Sequence, residues 1–241
     1  MTIIHSHSNS SSFNLAAEEY LFSERQDDIL FLYVNEPSVI IGSNQVIRNE
    51  VNLNFCAENN IRVVRRMSGG GAVYHDLGNL NYCFITNKTE GKSLLSADFL
   101  LPVVETLKLL NVPVEIGKRK DLWLQGGFKV SGTASHVSKN RELHHGTLLY
   151  DTDLDKLQKS LTVEDKDESL KGIVSVPSVV KNLKNSLQEN QESSVFFQLV
   201  IEKLLMKYAP CEINSFSEVE NEKIRFLQEN KYENSAWTYK K

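Results

Sequence analysis

The stretch Arg65-Arg66-Met67-Ser68-Gly69-Gly70-Gly71-Ala72-Val73-Tyr74-His75-Asp76-Leu77-Gly78-Asn79 decides how this chain is read. An apolar, β-branched run (Ile61, Val63, Val64) leads into it, and a second apolar run at residues 82–85 follows it. The pattern predicts two strands joined as a hairpin by a glycine-rich connection. Three successive glycines allow positive φ and let a ligand approach bare N–H groups. Two arginines enter the turn, and each offers a planar fork of donors suited to phosphate or carboxylate. Glycines alone are equally at home in a plain surface turn; the arginines make an anionic ligand the sharper reading.

Familiar phosphate-binding patterns are excluded. No Gly-Lys-Ser/Thr closes the loop, and Thr86 stands where the later Gly91-Lys92-Ser93 would need its first glycine. A strand pattern follows the glycines, not the helix that a dinucleotide fingerprint requires. No Gly-x-Ser-x-Gly or Ser/His/Asp spacing is visible. Cys56, Cys83 and Cys211 show no metal-ligand spacing, and their apolar neighbours read as buried thiols in a reducing compartment. The 241 residues are 41% hydrophobic and 24% charged with net charge −4, a composition that gives no general affinity for nucleic acid or for an anionic membrane surface. No signal-peptide core and no run of spanning length are present, so the expected location is cytoplasmic.

Along the chain, Phe13, Leu15, Ala16, Tyr20, Leu21 and Phe22 recur at helical spacing, with Glu18, Glu19 and Glu24 assigned to the opposite, solvated face and Ser12 or Asn14 as cap. Residues 29–34 and 39–41 read as strands, 51–59 as a short helix, and 94–110 as a helix with Pro102 near its first turn. Strands are expected at 114–116 and 122–124, then a helix at 195–208, another within 212–230, and a frayed polar end. Two further stretches carry chemistry. Asp121 precedes Lys129-Val130-Ser131-Gly132-Thr133-Ala134, where Lys129 between Phe128 and Val130 reads as a lysine held in an apolar frame. In His144-His145-Gly146-Thr147-Leu148-Leu149, adjacent strand histidines face opposite ways and do not share one metal.

Taken whole, residues 65–79 resemble the signature of the lipoate–protein ligase A family. The Phe13-Asn14-Leu15-Ala16 helix, Ile41-Gly42 with Gln45, Glu50 and Asn52, the Asp121…Lys129 block, the His144-His145-Gly146 strand and Lys171-Gly172-Ile173…Ser175-Val176 are similar to further elements of that family. The resemblance implies an α+β fold: a mixed, mostly antiparallel β-sheet with packed helices, shared by biotin and lipoate ligases. It implies a single catalytic domain over residues 1–241 without the family's C-terminal accessory domain. The implied reaction activates lipoate with ATP and Mg²⁺ to lipoyl-adenylate and then lipoylates a lysine of an acceptor. Acceptors would be the E2 subunits of 2-oxoacid dehydrogenases or the glycine-cleavage H protein, with a separate small accessory protein as a further expected partner. By resemblance Arg66, Gly71, Ala72, Val73 and Tyr74 hold the nucleotide, and Lys129 contacts both acyl carbonyl and α-phosphate. Ser68, Gly69, Gly70, His75 and His145 lie along the lipoyl group, and Asp121 helps hold Mg²⁺. The alternative is a lipoyl- or octanoyl-transferase that takes a preformed donor without ATP.

Overall fold

The structure, a computed structural model, describes residues 1–88, 96–187, 191–211 and 213–240. The expected start of the 94–110 helix, Leu94 and Leu95, and most of the polar connection at 88–92 lie outside the described residues.

The strand Ile29–Val34 (β2) anchors the fold because its six residues, Ile-Leu-Phe-Leu-Tyr-Val, are apolar on both faces. Side chains alternate across a strand, so Leu30 and Leu32 join one core while Ile29, Phe31 and Tyr33 join another. A strand of this kind needs cover on both sides. Helices α4 (Leu101–Leu109) and α6 (Ser193–Lys207) pack into the first core, and α1 (Ser11–Glu24) and α7 (Glu218–Leu227) into the second. β1 (Thr2–His5) and β2 run parallel, and β2 pairs antiparallel with β6 (Asn79–Asn87). β6 pairs antiparallel with β11 (Arg141–Leu149), which pairs antiparallel with β10 (Thr133–Val137). With β12 (Ile213–Asn214) at the far edge these form a six-stranded mixed sheet.

A small sheet holds β3 (Ser38–Ile41) between β4 (Arg62–Arg65), parallel to it, and β5 (Val73–His75), antiparallel to it. The hairpin expected across the glycines is therefore corrected: β4 pairs with β3, and the run at 82–85 belongs to the large sheet. The glycine bend carries the chain over the end of β3, from one of its edges to the other. Its backbone then lies so close to Gly42 that a Cβ there would overlap the Gly70 carbonyl. Of the three glycines in the bend only Gly70 adopts positive φ, at +87°. The third sheet, β7 (Glu115–Ile116), β8 (Leu122–Leu124) and β9 (Phe128–Ser131), presents Lys129.

Two local expectations change. Ser10, not Ser12 or Asn14, caps α1, accepting from the Phe13 amide; the Ser12 and Asn14 side chains are buried in polar contacts instead. The chain end does not fray: α8 (Ser235–Thr238) docks against β4, with the Trp237 indole N–H donating to the Arg65 carbonyl at 2.7 Å.

α6 is tied to the sheet by Phe196, 1% exposed, whose ring stacks on Tyr150 at 4.1 Å between centroids. Phe196→Ala is expected to cost about 3–5 kcal/mol of stability. Urea unfolding should show a lower midpoint at unchanged slope, and a loss below about 1 kcal/mol would contradict this packing.

Candidate active site

Residues from all three sheets meet at one cleft of about 320 Å³, a volume suited to a small ligand. The bend supplies Gly70, Gly71, Ala72 and Val73; β5 adds His75. Opposite them stand Lys129, then Gly132, Thr133 and Ala134, then His145, Gly146 and Thr147. Ile173, Val174, Ser175 and Val176 form another wall, with Leu15, Tyr33, Ile40 and Asn81 from the core elements and Arg119 and Asp121 from the turn before β8. The two sides come close: a Cβ built on Gly70 would lie 3.6 Å from the Ala134 Cβ.

The bend is shaped by Arg66, which is 3% exposed. Its Nη2 donates to the carbonyls of Gly69 at 2.6 Å and Gly71 at 2.8 Å, its Nη1 to Ile40, and its Nε to Ser68 Oγ. Burial pulls this guanidinium down to about 10, but it stays charged at neutral pH. With two of the bend's carbonyls committed to Arg66, the amides of Gly69, Gly70 and Gly71 donate to nothing among the described residues. Successive free amides make an anion-binding concavity. The next amide, Ala72, donates to Ser175 Oγ at 3.0 Å, and Gln45 Nε2 donates to the same oxygen.

Lys129, on β9, lines the same cleft as the bend. Its Nζ lies 3.2 Å from Asp121 Oδ2, and its side chain is 19% exposed. Backbone pairing on both sides fixes it: its amide donates to Val179, and its carbonyl accepts from Lys181. Burial lowers the Lys129 ammonium from the ordinary lysine value, while the Asp121 carboxylate works against that shift. Asp121 itself sits below the usual carboxylate range: burial pushes it up, and bonding to Trp123 together with the Lys129 charge overrides that push.

Three of the expected ligand residues do not line the cleft. Ser68 is fully buried, and Gly69 turns its carbonyl to Arg66. Strand alternation sends Val73 and His75 into the cleft and the Tyr74 ring away from it, into the core with Val39 and Ile41. Ser68 Oγ is 2.7 Å from His145 Nε2, and His145 Nδ1 is 2.9 Å from both oxygens of Glu18. The order Ser-His-Glu has the form of a nucleophilic triad. Ser68 nevertheless has no access to the cleft and also accepts from Arg66, so the network orders the bend and attacks nothing. Glu18, expected on a solvated face, is fully buried, bonded to His145 and to the Tyr33 hydroxyl. Helical spacing alone carried no signal for it; only the strand opposite supplies its partner. Arg119, Tyr33 and Asn81 were likewise unmarked in the sequence. Cys56 and Cys83 are buried, and burial raises both thiols, so neither offers a thiolate.

A cleft lined by a lysine and by unbonded glycine amides has the chemistry to hold an anionic group. Residues 10–206 match the family model of the lipoyl protein ligase A/B catalytic domain. The chain is 37% identical over 230 residues to lipoate–protein ligase 1 of Staphylococcus aureus, covering 95% of this chain and 70% of that protein. It is 38% identical over 237 residues to the lipoate-protein ligase LplJ of Bacillus subtilis, covering 96% and 71%. Among solved structures, protein Ta0514 of T. acidophilum with bound lipoic acid superposes with a TM-score of 0.83 at 26% identity, covering 99% and 98% of the two chains. A lipoate-protein ligase A bound with ATP gives 0.82 at 26%, covering 99% and 98%. A bi-partite lipoate protein ligase described with its E2 lipoyl domain, from Thermoplasma acidophilum, gives 0.81 at 27%, covering 99% and 95%. The chain belongs to the lipoyl protein ligase A/B family, and it is an enzyme of the lipoate–protein ligase class. No described helix is long and apolar enough to cross a membrane.

His75 sets a pH limit. Burial first, then the charge of Arg66, lower it to about 3, and Asn35 bonds its Nδ1. A neutral buried imidazole binds fewer protons than the unfolded chain below the ordinary histidine value, so stability falls as pH drops through about 6.5 toward 3. His75→Gln should flatten the fall in urea midpoint between pH 7 and 5. An unchanged slope would contradict a neutral His75.

Proposed function

We propose that residues 1–241 form one catalytic unit that activates lipoate with ATP and transfers the lipoyl group to a lysine of an acceptor domain. The observation that carries this reading is that Lys129 and the unbonded amides of Gly70 and Gly71 line one cleft.

In the first step a lipoate carboxylate oxygen attacks the α-phosphorus of ATP and pyrophosphate departs. The amides of Gly70 and Gly71 take phosphate oxygens, and the Lys129 ammonium offsets the charge shared by carboxylate and phosphate. Arg66 acts mainly by holding those amides in place, with one Nη1 hydrogen left for the nucleotide. In the second step the acceptor amine attacks the acyl carbonyl, loses a proton, and AMP leaves. Lys129 then stabilises the carbonyl oxygen and the departing phosphate together. Aliphatic groups of Leu15, Ile40 and Val73 line the same cleft as His75 and His145 and suit the lipoyl chain. Asp121 offers one carboxylate, already paired with Lys129. It fits Mg²⁺ only as a single oxygen ligand beside nucleotide phosphates, where the ion would supply charge neutralisation.

E2 subunits of 2-oxoacid dehydrogenases and the glycine-cleavage H protein are the proposed acceptors, since both present a lysine for lipoylation. Incubating the chain alone with lipoate, ATP and Mg²⁺ should release pyrophosphate. Release that appears only with an added small protein chain would assign activation to a two-chain enzyme. Transfer from synthetic lipoyl-adenylate, with none from lipoate and ATP under either condition, would replace this reading by the ATP-independent one. Lys129→Ala should lower transfer, read by the mass of the acceptor, about 10²–10³-fold with the fold retained. Near-unmutated transfer would overturn the role of Lys129.

A further inference from the structure

The second arginine of the motif, Arg65, lies outside the cleft and is fully buried. No carboxylate pairs with its side chain among the described residues. Its guanidinium instead gathers backbone carbonyls from two separate segments. Nη1 donates to Gly42 at 2.8 Å and Gln45 at 2.9 Å; Nε donates to Thr238 at 3.0 Å and Trp237 at 3.2 Å; Nη2 donates to Lys240 at 3.3 Å. The first segment is the loop that supports the glycine bend. There the Gly42 amide donates to Gln45 Oε1, Gln45 Nε2 reaches Ser175 Oγ, and the Gly42 backbone abuts the Gly70 carbonyl. The second segment is the chain end, held by the Trp237 indole on the Arg65 carbonyl and by Lys231 and Lys240 over the indole ring at 4.2 and 3.8 Å.

A buried guanidinium is tolerable only while its donors are satisfied. If either segment withdraws, the remaining carbonyls must hold the whole charge, so the two segments share one free-energy well. Such sharing is a coupling between distant parts of the chain.

We propose that Arg65 and Trp237 are positioning residues, through which residues 235–240 hold the 42–45 loop, and with it the triglycine bend, in the shape that receives the acyl-adenylate. The proposal rests on the ligase reading for its ligand, but the coupling itself does not. It ties the reactive cleft to the end of the described chain, so that anything bound or attached there acts on substrate affinity by way of Arg65.

The test uses the full chain as Trp237→Phe, which removes the indole bond while keeping the ring, and as Arg65→Lys, which removes the fork. Amide hydrogen exchange of the ligand-free proteins is read first. The hydrogen-bonded amides of Gly42, Ser43, Gln45, Arg66 and Ala72 should exchange at least about tenfold faster in both variants, with Ile29–Val34 and Asn79–Asn87 unchanged. In lipoyl transfer, KM for lipoate should rise about 5–20-fold with kcat within about twofold, the mark of a loop that binds less well. Should Arg65→Lys fail to fold, Trp237→Phe alone decides. Unchanged exchange at those five amides, or acceleration spread evenly over the strands, overturns the coupling. If the unmutated chain transfers no lipoyl group, the ligase reading fails, while the exchange comparison still judges the coupling.

Discussion

Everything at the cleft depends on the buried Arg66 guanidinium and the carbonyls that surround it. A charge removed from water must find several acceptors, and the bend supplies two of them from Gly69 and Gly71. That requirement fixes which way the peptide planes turn. The Gly69 and Gly71 carbonyls go to the arginine, and at the cleft the Gly70 and Gly71 amides are left without an acceptor among the described residues. The conformational entropy lost in ordering a side-chain-free bend is offset by the arginine that it solvates. Ser68 extends the same logic by linking Arg66 to His145 and, through it, to Glu18 on α1. The bend is therefore held from the helix layer as well as from the small sheet.

The frame that carries this site was largely legible. The Ile29–Val34 run, the apolar run at 82–85 that lies in β6 and the helical spacing at 195–208 all emerged where the sequence pattern placed them, because burial on one or two faces writes itself into composition. Strand pairing was not legible. Residues 61–64 and 82–85 read as partners because they are neighbours in sequence, yet β3, an apolar strand of similar character, pairs with β4 and β5 instead. Local pattern states that a strand exists, not which edge it meets.

The same division runs through the site. That Lys129, Asp121, His145, Gly70 and Gly71 belong together followed from motif-level reading, and all five line one cleft. Glu18 and Tyr74 did not, for opposite reasons. A lone carboxylate in an amphipathic helix is ordinarily solvated, and bonds to His145 and Tyr33 make its burial tolerable. Tyr74 sits in the motif but on the wrong side of β5, so its ring serves the core. The docked chain end left no local mark, since Arg65 meets Trp237 and Thr238 only through tertiary folding.

The central claim is that one lysine and one amide-lined bend close on the same mixed anhydride. A crystal structure of the chain with a non-hydrolysable lipoyl-adenylate analogue tests it most directly. The account predicts Lys129 Nζ within hydrogen-bond distance of both the acyl oxygen and the phosphate, and the Gly70 and Gly71 amides on phosphate oxygens. An analogue bound elsewhere, or bound in the cleft with Lys129 still turned only to Asp121, would contradict it.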